Sequence, residues 1–153
     1  MTMSVVFVLM NAIQMDQELS MHTFFLGKHS LNRAVHAAAQ QVDLQKLATG
    51  IYSIDESKAQ NVASEYLQEN LRLDSQFNPV PDSFFRSEVK VVLFKVINEK
   101  ETFPYTYYNA TYKYSVVLQN PGVVMMIQLD YPRMYQVLPP ITWTIKGIAE
   151  IVS

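Results

Sequence analysis

The chain has 153 residues, of which 49% are hydrophobic and 17% are charged, a length and composition typical of one globular domain with a real core. Twelve basic residues against fourteen acidic ones give a formal net charge of -2, so no excess of positive charge would attract nucleic acid. Cysteine is absent, which excludes disulfides, thiolate metal sites and a cysteine nucleophile. Composition therefore indicates a soluble or peripherally anchored domain, and its function has to be argued from the order of the residues.

The first thirteen residues are the most apolar part of the chain. Met1 to Ile13 contains no charge and consists mostly of Met, Val, Phe, Leu and Ile. As a helix it would span about 20 Å, whereas the hydrocarbon core of a bilayer is about 30 Å thick. A signal peptide would carry basic residues before the apolar run and small residues at a cleavage site, and neither is present. Two interpretations stay open: a helix of the domain's own core, or the last part of a membrane helix that begins upstream.

The first half of the chain favours helix. No proline precedes Pro79, and Gly27 and Gly50 are the only glycines before it. Apolar residues recur at helical spacing from Gln14 to Ala48, which predicts a long helix with one face on a core and Gly50 as its C-terminal cap. A helix over residues 1–48 would be roughly 72 Å long, so part of it would project from a small domain.

A second helix is predicted from Ile54 to Leu71. Ser53 and Glu56 have the spacing of a capping box, in which each side chain accepts the other residue's free backbone N–H. The stretch that follows contains Pro79 and Pro81 among polar residues, which predicts an irregular loop.

Four strands are predicted after residue 87. The first is more continuously apolar, as in a strand inside a sheet, and in the other three, apolar residues alternate with polar ones, as in a sheet with one buried face. The four strands cover Val89–Ile97, Tyr108–Leu118, Val123–Tyr131 and Ile141–Ile151. Their connections are short, so we expect one four-stranded antiparallel meander. The long helix should cover its buried face. We expect Leu31, Val35 and Ala38 to pack on Tyr112, Tyr114, Val116, Ile127, Leu129, Trp143 and Ile145.

This α+β plan resembles that of type IV pilin-like proteins, and most closely the TadE/TadG-like proteins of tight-adherence pilus systems. The resemblance rests on Leu31-Asn32-Arg33-Ala34-Val35-His36-Ala37-Ala38-Ala39-Gln40, similar to their Arg- and Ala-rich helix after the membrane segment. It rests also on Asp130-Tyr131-Pro132, Leu138-Pro139-Pro140-Ile141 and Ala149-Glu150, similar to their closing strands. The resemblance implies a membrane-anchored structural or minor pilin-like subunit of the cell envelope, with its domain outside the cytoplasm and without catalysis.

On this hypothesis the chain divides into a projecting apolar segment, residues 1–26, as a candidate truncated membrane anchor, and a globular domain, residues 27–153. The N-terminal helix would contact other subunits or a membrane, and self-association is expected. A cluster of tyrosines on one predicted strand suggests a further contact surface, since tyrosine is favoured in recognition sites; core packing is its alternative. The candidate contact residues are Val5, Val6, Phe7, Val8, Leu9, Met10, Phe24, Phe25, Tyr105 and Tyr107.

The sequence offers little for catalysis or metal binding. His22, His29 and His36 lie seven residues apart on the first predicted helix, so neighbours would be about 10.5 Å apart, too far to share one metal. They are either solvated helix positions or a protonation-sensitive stripe at a packing interface. No nucleophile elbow, phosphate loop or dinucleotide fingerprint occurs, so we expect neither an enzyme nor a cofactor. The alternative function is a soluble, cytoplasmic α+β ligand- or protein-binding domain in which Met1 to Ile13 completes its own core.

Overall fold

The computed structural model describes residues 2–131 and 141–152. A long N-terminal helix and a later helix accompany two antiparallel sheets, so the expected mixture of helix and antiparallel strands is confirmed. The elements are α1 Thr2–Ala39, α2 Leu44–Leu47, α3 Glu56–Leu71, β1 Lys90–Ile97, β2 Tyr105–Asn109, β3 Tyr114–Leu118, β4 Gly122–Asp130 and β5 Thr142–Glu150.

Helix α1 is continuous over 38 residues, which makes it about 57 Å long at 1.5 Å per residue. The prediction that the helix continues to Ala48 is wrong, because the chain turns after Ala39 and Asp43 begins a new, four-residue helix as its N-cap. The backbone N–H of Asp43 donates to the carbonyl of Ser53 at 2.8 Å. Gly50, with a φ of 81°, therefore follows the short helix α2 rather than the long one.

Helix α3 begins two residues later than predicted and has a different cap. Asp55 is the N-cap, and its carboxylate accepts the backbone N–H of Lys58 at 3.1 Å. Ser53, the expected capping residue, is instead fully buried. The irregular loop expected around the two prolines is confirmed, since no helix or strand lies between Leu71 and Lys90.

The prediction of one four-stranded meander is wrong. The structure has a three-stranded antiparallel sheet in the order β1-β4-β5 and a separate two-stranded sheet, β2-β3. The predicted strand Tyr108–Leu118 contains the turn of this hairpin. Asn109 Oδ1 accepts the backbone N–H of Tyr112 at 3.1 Å, and Lys113 has a positive φ of 46°, so the chain reverses where the sequence alternation suggested a straight strand.

Strand β4 lies between two layers and is buried on both faces. Helix α1 covers one face, where Ile127, Leu129 and Ile145 are buried in the same core cluster as the helix residues Leu31, Val35 and Ala38, with Trp143 partly buried against it. This part of the predicted packing is confirmed. The β2-β3 hairpin covers the other face, where Tyr112, Tyr114 and Val116 pack against Val124 and Met126. The prediction that these three residues contact α1 is therefore wrong.

Two glycines bring α1 close to β5. A Cβ atom on Gly27 would lie 2.7 Å from Ile145 Cδ1, and one on Gly147 would lie 2.8 Å from Leu31 Cγ. Both distances are shorter than a van der Waals contact, so a Cβ atom at either position would displace the neighbouring side chain. The two glycines thus allow α1 to pack closely along β5.

Lys28 and Lys146 connect the three layers. The Lys28 ammonium group on α1 donates to the backbone carbonyl of Lys146 on β5. The Lys146 ammonium group in turn donates to the carbonyl of Tyr112 at 3.3 Å and lies 4.9 Å from the ring centroid of Tyr114. Burial lowers the pKa of Lys28.

Candidate functional site

The strongest candidate site is the first part of α1, residues 3–15, called here the exposed segment. Its large apolar side chains from Met3 to Met10 are each between 57% and 89% exposed, and Ile13 and Met15 are also exposed. The segment contains no charged residue, and Asp16 is the first charge in the chain. The Asn11 amide is satisfied within the helix, because its Nδ2 donates to the carbonyl of Phe7 at 2.8 Å.

Apolar side chains of the exposed segment point in every direction around the helix axis. Consecutive residues of an α-helix are turned by about 100°, so the six residues from Val5 to Met10 cover more than a full turn. An amphipathic helix lying on a surface would show a polar face, and this stretch has none. A single neighbouring helix would cover one side of it, whereas lipid or several helices would cover all sides.

The helix joins the domain at residues 22–24. The His22 ring meets Phe84 edge-on with 4.9 Å between centroids, and Phe24 lies 5.4 Å from Trp143. Thr23 between them is fully buried, and its hydroxyl donates to the carbonyl of Leu19. The aromatic contacts place this part of α1 at the beginning of β5.

The structure separates the predicted contact residues into four groups. Val5, Val6, Phe7, Val8, Leu9 and Met10 all lie on the exposed segment, and Phe25 is 51% exposed at the point where the helix meets the domain. Phe24 is partly buried against the core.

Tyr105 and Tyr107 are half-buried on the inner face of the β2-β3 hairpin. They pack against a second core cluster, which consists of Ile97, Leu118, Val124 and Met126. This placement agrees with core packing, the alternative to a contact surface for these tyrosines. Tyr108, on the opposite face of β2, is the exposed tyrosine of this strand at 64%. The turn at Asn109, which alternation did not indicate, reverses the chain and so decides which tyrosines face inward.

A polar cleft of about 470 Å³ lies where the α2 loop, the start of α3 and the end of β1 meet. The Asn98 side chain bridges two of these elements, accepting from the backbone N–H of Ile54 at 2.8 Å and donating to its carbonyl at 2.9 Å. Lys46 forms an ion pair with Glu99. A hydrogen bond from Lys46, with a further one from Ser53, lowers the pKa of Glu99 to about 2.

These contacts give this part of the cleft a structural role, because the Lys46–Glu99 ion pair and the Asn98 bonds to the Ile54 backbone hold the surrounding elements together. The contact between Glu99 and Lys46 was not predicted from the sequence. Lys46 lies 53 positions away in the sequence, and no local pattern connects the two residues.

The three histidines are all exposed on α1. Within residues 2–131 and 141–152, no three His, Asp or Glu side chains are grouped so that they could hold a metal ion. In the same described ranges, no helix combines the length and the hydropathy needed to cross a bilayer.

No family model, curated protein or solved structure matches the chain. The resemblance to TadE/TadG-like proteins therefore stays a prediction from the sequence. Part of the closing pattern on which it rests, Pro132 and Leu138 to Pro140, lies outside the described residues.

Proposed function

We propose that the chain is a non-catalytic, pilin-like structural or assembly subunit, anchored in the cell envelope by the exposed segment, with its α+β domain outside the cytoplasm. The observation that carries this proposal is the exposed segment itself, an uncharged apolar helix that is open on all sides. Contiguous apolar surface of this kind marks a contact with lipid or protein. Its partners in this proposal are membrane lipid and other subunits of an assembly.

The length of the segment bears on how it is anchored. Thirteen helical residues span about 20 Å, or roughly two-thirds of a 30 Å hydrocarbon core. The segment by itself is thus shorter than a bilayer-spanning helix, and contacts with the helices of other subunits would add to the contact with lipid. Both environments would bury the apolar side chains of the segment.

The organisation of the domain supports anchoring over the alternative of a self-contained binding domain. That alternative needs Met1 to Ile13 in the core, yet Met3 to Met10 are exposed. The faces of β4 are already covered, one by α1 and the other by the β2-β3 hairpin. The central strand therefore offers no free face on which the exposed segment could fold back.

Co-flotation of the full chain with phosphatidylcholine vesicles tests the anchor. We expect the wild type to float with the vesicles, and a variant with Val5→Gln, Phe7→Gln and Leu9→Gln to stay in solution. Tyr108→Gln is the matched control, because it removes a comparably exposed aromatic residue from the domain surface, and it should float like the wild type. Equal recovery of wild type and triple variant with the vesicles would refute the role of the segment.

Deleting residues 1–21 is the complementary experiment. Because the aromatic contacts with the domain begin at His22, the deleted chain should remain folded, monomeric and more soluble, while the full chain should bind detergent or self-associate. Light scattering and circular dichroism measure both. A full chain that is a clean monomer without detergent, together with an unfolded deletion, would favour the self-contained binding domain instead.

A further inference from the structure

The methionines of the described chain divide into two groups. On α1, Met3 is 89% exposed, Met10 61%, Met15 44% and Met21 50%. Met125 and Met126 on β4 are 1% and 0% exposed. The same side-chain chemistry is therefore open to solvent on the N-terminal helix and closed inside the domain.

Exposure decides which thioether reacts with an oxidant. A peroxide reaches an exposed sulfur and converts methionine to its sulfoxide, a polar side chain that disrupts apolar contacts. The chain has no cysteine, so no thiol competes for the oxidant. The four methionines of α1 are thus the most accessible sites for this reaction among the described residues.

We propose that Met3, Met10, Met15 and Met21 form an oxidation-sensitive switch that prevents the free chain from binding lipid once these methionines are oxidised. This inference rests on the proposed anchoring function and adds its regulation. Three of the four residues lie in the exposed segment, whose apolar surface carries the anchor, and Met21 lies between it and the domain. Oxidation would make the anchor polar at several points along the helix while leaving the core unchanged.

The reaction is a two-electron oxidation of sulfur. The sulfur lone pair attacks one oxygen of the peroxide, the O–O bond breaks, and the S–O bond of the sulfoxide forms. With hydrogen peroxide the second oxygen leaves as water after proton transfer. Reversal requires a methionine sulfoxide reductase, with a thiol as the reductant.

The bound chain should be protected from oxidation, whereas the free chain should be reactive. Side chains covered by lipid or by other subunits are shielded from an aqueous peroxide, so the unassembled chain should react first. Burial of one methionine side chain changes a partition coefficient by roughly tenfold or more. Loss of this contribution at the three positions within the exposed segment should weaken vesicle binding by about a thousandfold or more.

The experiment compares the full chain before and after treatment with hydrogen peroxide. Peptide mass spectrometry should show the four α1 methionines oxidised at least tenfold faster than Met125 and Met126, with the circular dichroism spectrum of the domain retained. Vesicle binding, measured by co-flotation with phosphatidylcholine vesicles, should weaken by the factor given above. Treatment with a methionine sulfoxide reductase and dithiothreitol should restore it.

A variant with Leu at all four positions, Met3→Leu, Met10→Leu, Met15→Leu and Met21→Leu, is the matched control. It keeps the apolar surface but cannot form sulfoxides there, so it should float both before and after peroxide. The switch is refuted if the oxidised wild type floats as well as the untreated protein, or if the Leu variant loses flotation equally. If the untreated wild type itself does not float with the vesicles, the proposed lipid anchoring fails and the oxidation switch fails with it.

Discussion

The close packing of Gly27 against β5 gives a quantitative test of how α1 is attached to the domain. Replacing Gly27 by Ala improves helix propensity by about 1 kcal/mol. The new methyl group, however, would lie 2.7 Å from Ile145 Cδ1 and 2.7 Å from Leu129 Cδ2. Both side chains are buried, and overpacking of this kind costs about 1–3 kcal/mol. We expect a net loss of up to about 2 kcal/mol in the free energy of unfolding.

A second substitution isolates the contact. Ile145→Val deletes Cδ1, and alone it should cost about 0.5–1.5 kcal/mol. In the double variant the methyl group introduced by Gly27→Ala has part of the space that it needs. The loss in the free energy of unfolding of the double variant should therefore be smaller than the sum of the two single losses by at least about 0.5 kcal/mol. Urea unfolding of the four proteins measures this coupling. Additive effects, or a Gly27→Ala variant stabilised by the full helix-propensity gain, would refute the close approach of helix and sheet.

Two further predictions concern the core and the α2 loop. Val35→Asp places a charge at a position with no exposure and should destabilise the domain by about 3–5 kcal/mol; an unchanged melting temperature would contradict the helix-on-sheet layer. Because Lys46 lowers the pKa of Glu99 from 4.5 to about 2, the ionised carboxylate stabilises the fold above pH 4.5, and this contribution disappears as the pH falls towards 2. The melting temperature of wild type should therefore exceed that of Glu99→Gln at pH 7, and the difference should narrow between pH 4.5 and pH 2; a difference independent of pH would rule out the ion pair as its source.

Periodicity predicted those parts of the fold in which one pattern extends over many residues. The apolar stripe of Leu31, Val35 and Ala38 identified the face of α1 that packs on the sheet. Composition alone identifies Met1 to Ile13 as an apolar and uncharged stretch. An apolar run of this length is compatible with a core helix and with a membrane segment, so its sequence alone does not determine its placement.

The errors occurred where a single side chain redirects the backbone. Asn109 Oδ1 bonds to the backbone N–H of Tyr112, and Asp43 caps α2 after α1 has ended. Short polar side chains of this kind compete with regular secondary structure for backbone hydrogen bonds. The alternation of apolar and polar residues continues on both sides of the turn at Asn109. It therefore did not indicate that the predicted strand Tyr108–Leu118 contains the end of β2, a turn and β3. The Lys46–Glu99 contact was unpredictable for a different reason, because it depends on how distant segments meet.

The two-sided burial of β4 links the fold to the proposed function. Its nearly continuous apolar sequence, Gly122 to Leu129, requires a cover on each face, and α1 and the β2-β3 hairpin supply these covers within one chain. The globular domain therefore has its own core, to which Met3 to Met10 do not contribute. It follows that the exposed segment can be altered, by substitution or by methionine oxidation, without removing core contacts. Such separation lets binding change while the domain stays folded, which a helix buried in the core could not do.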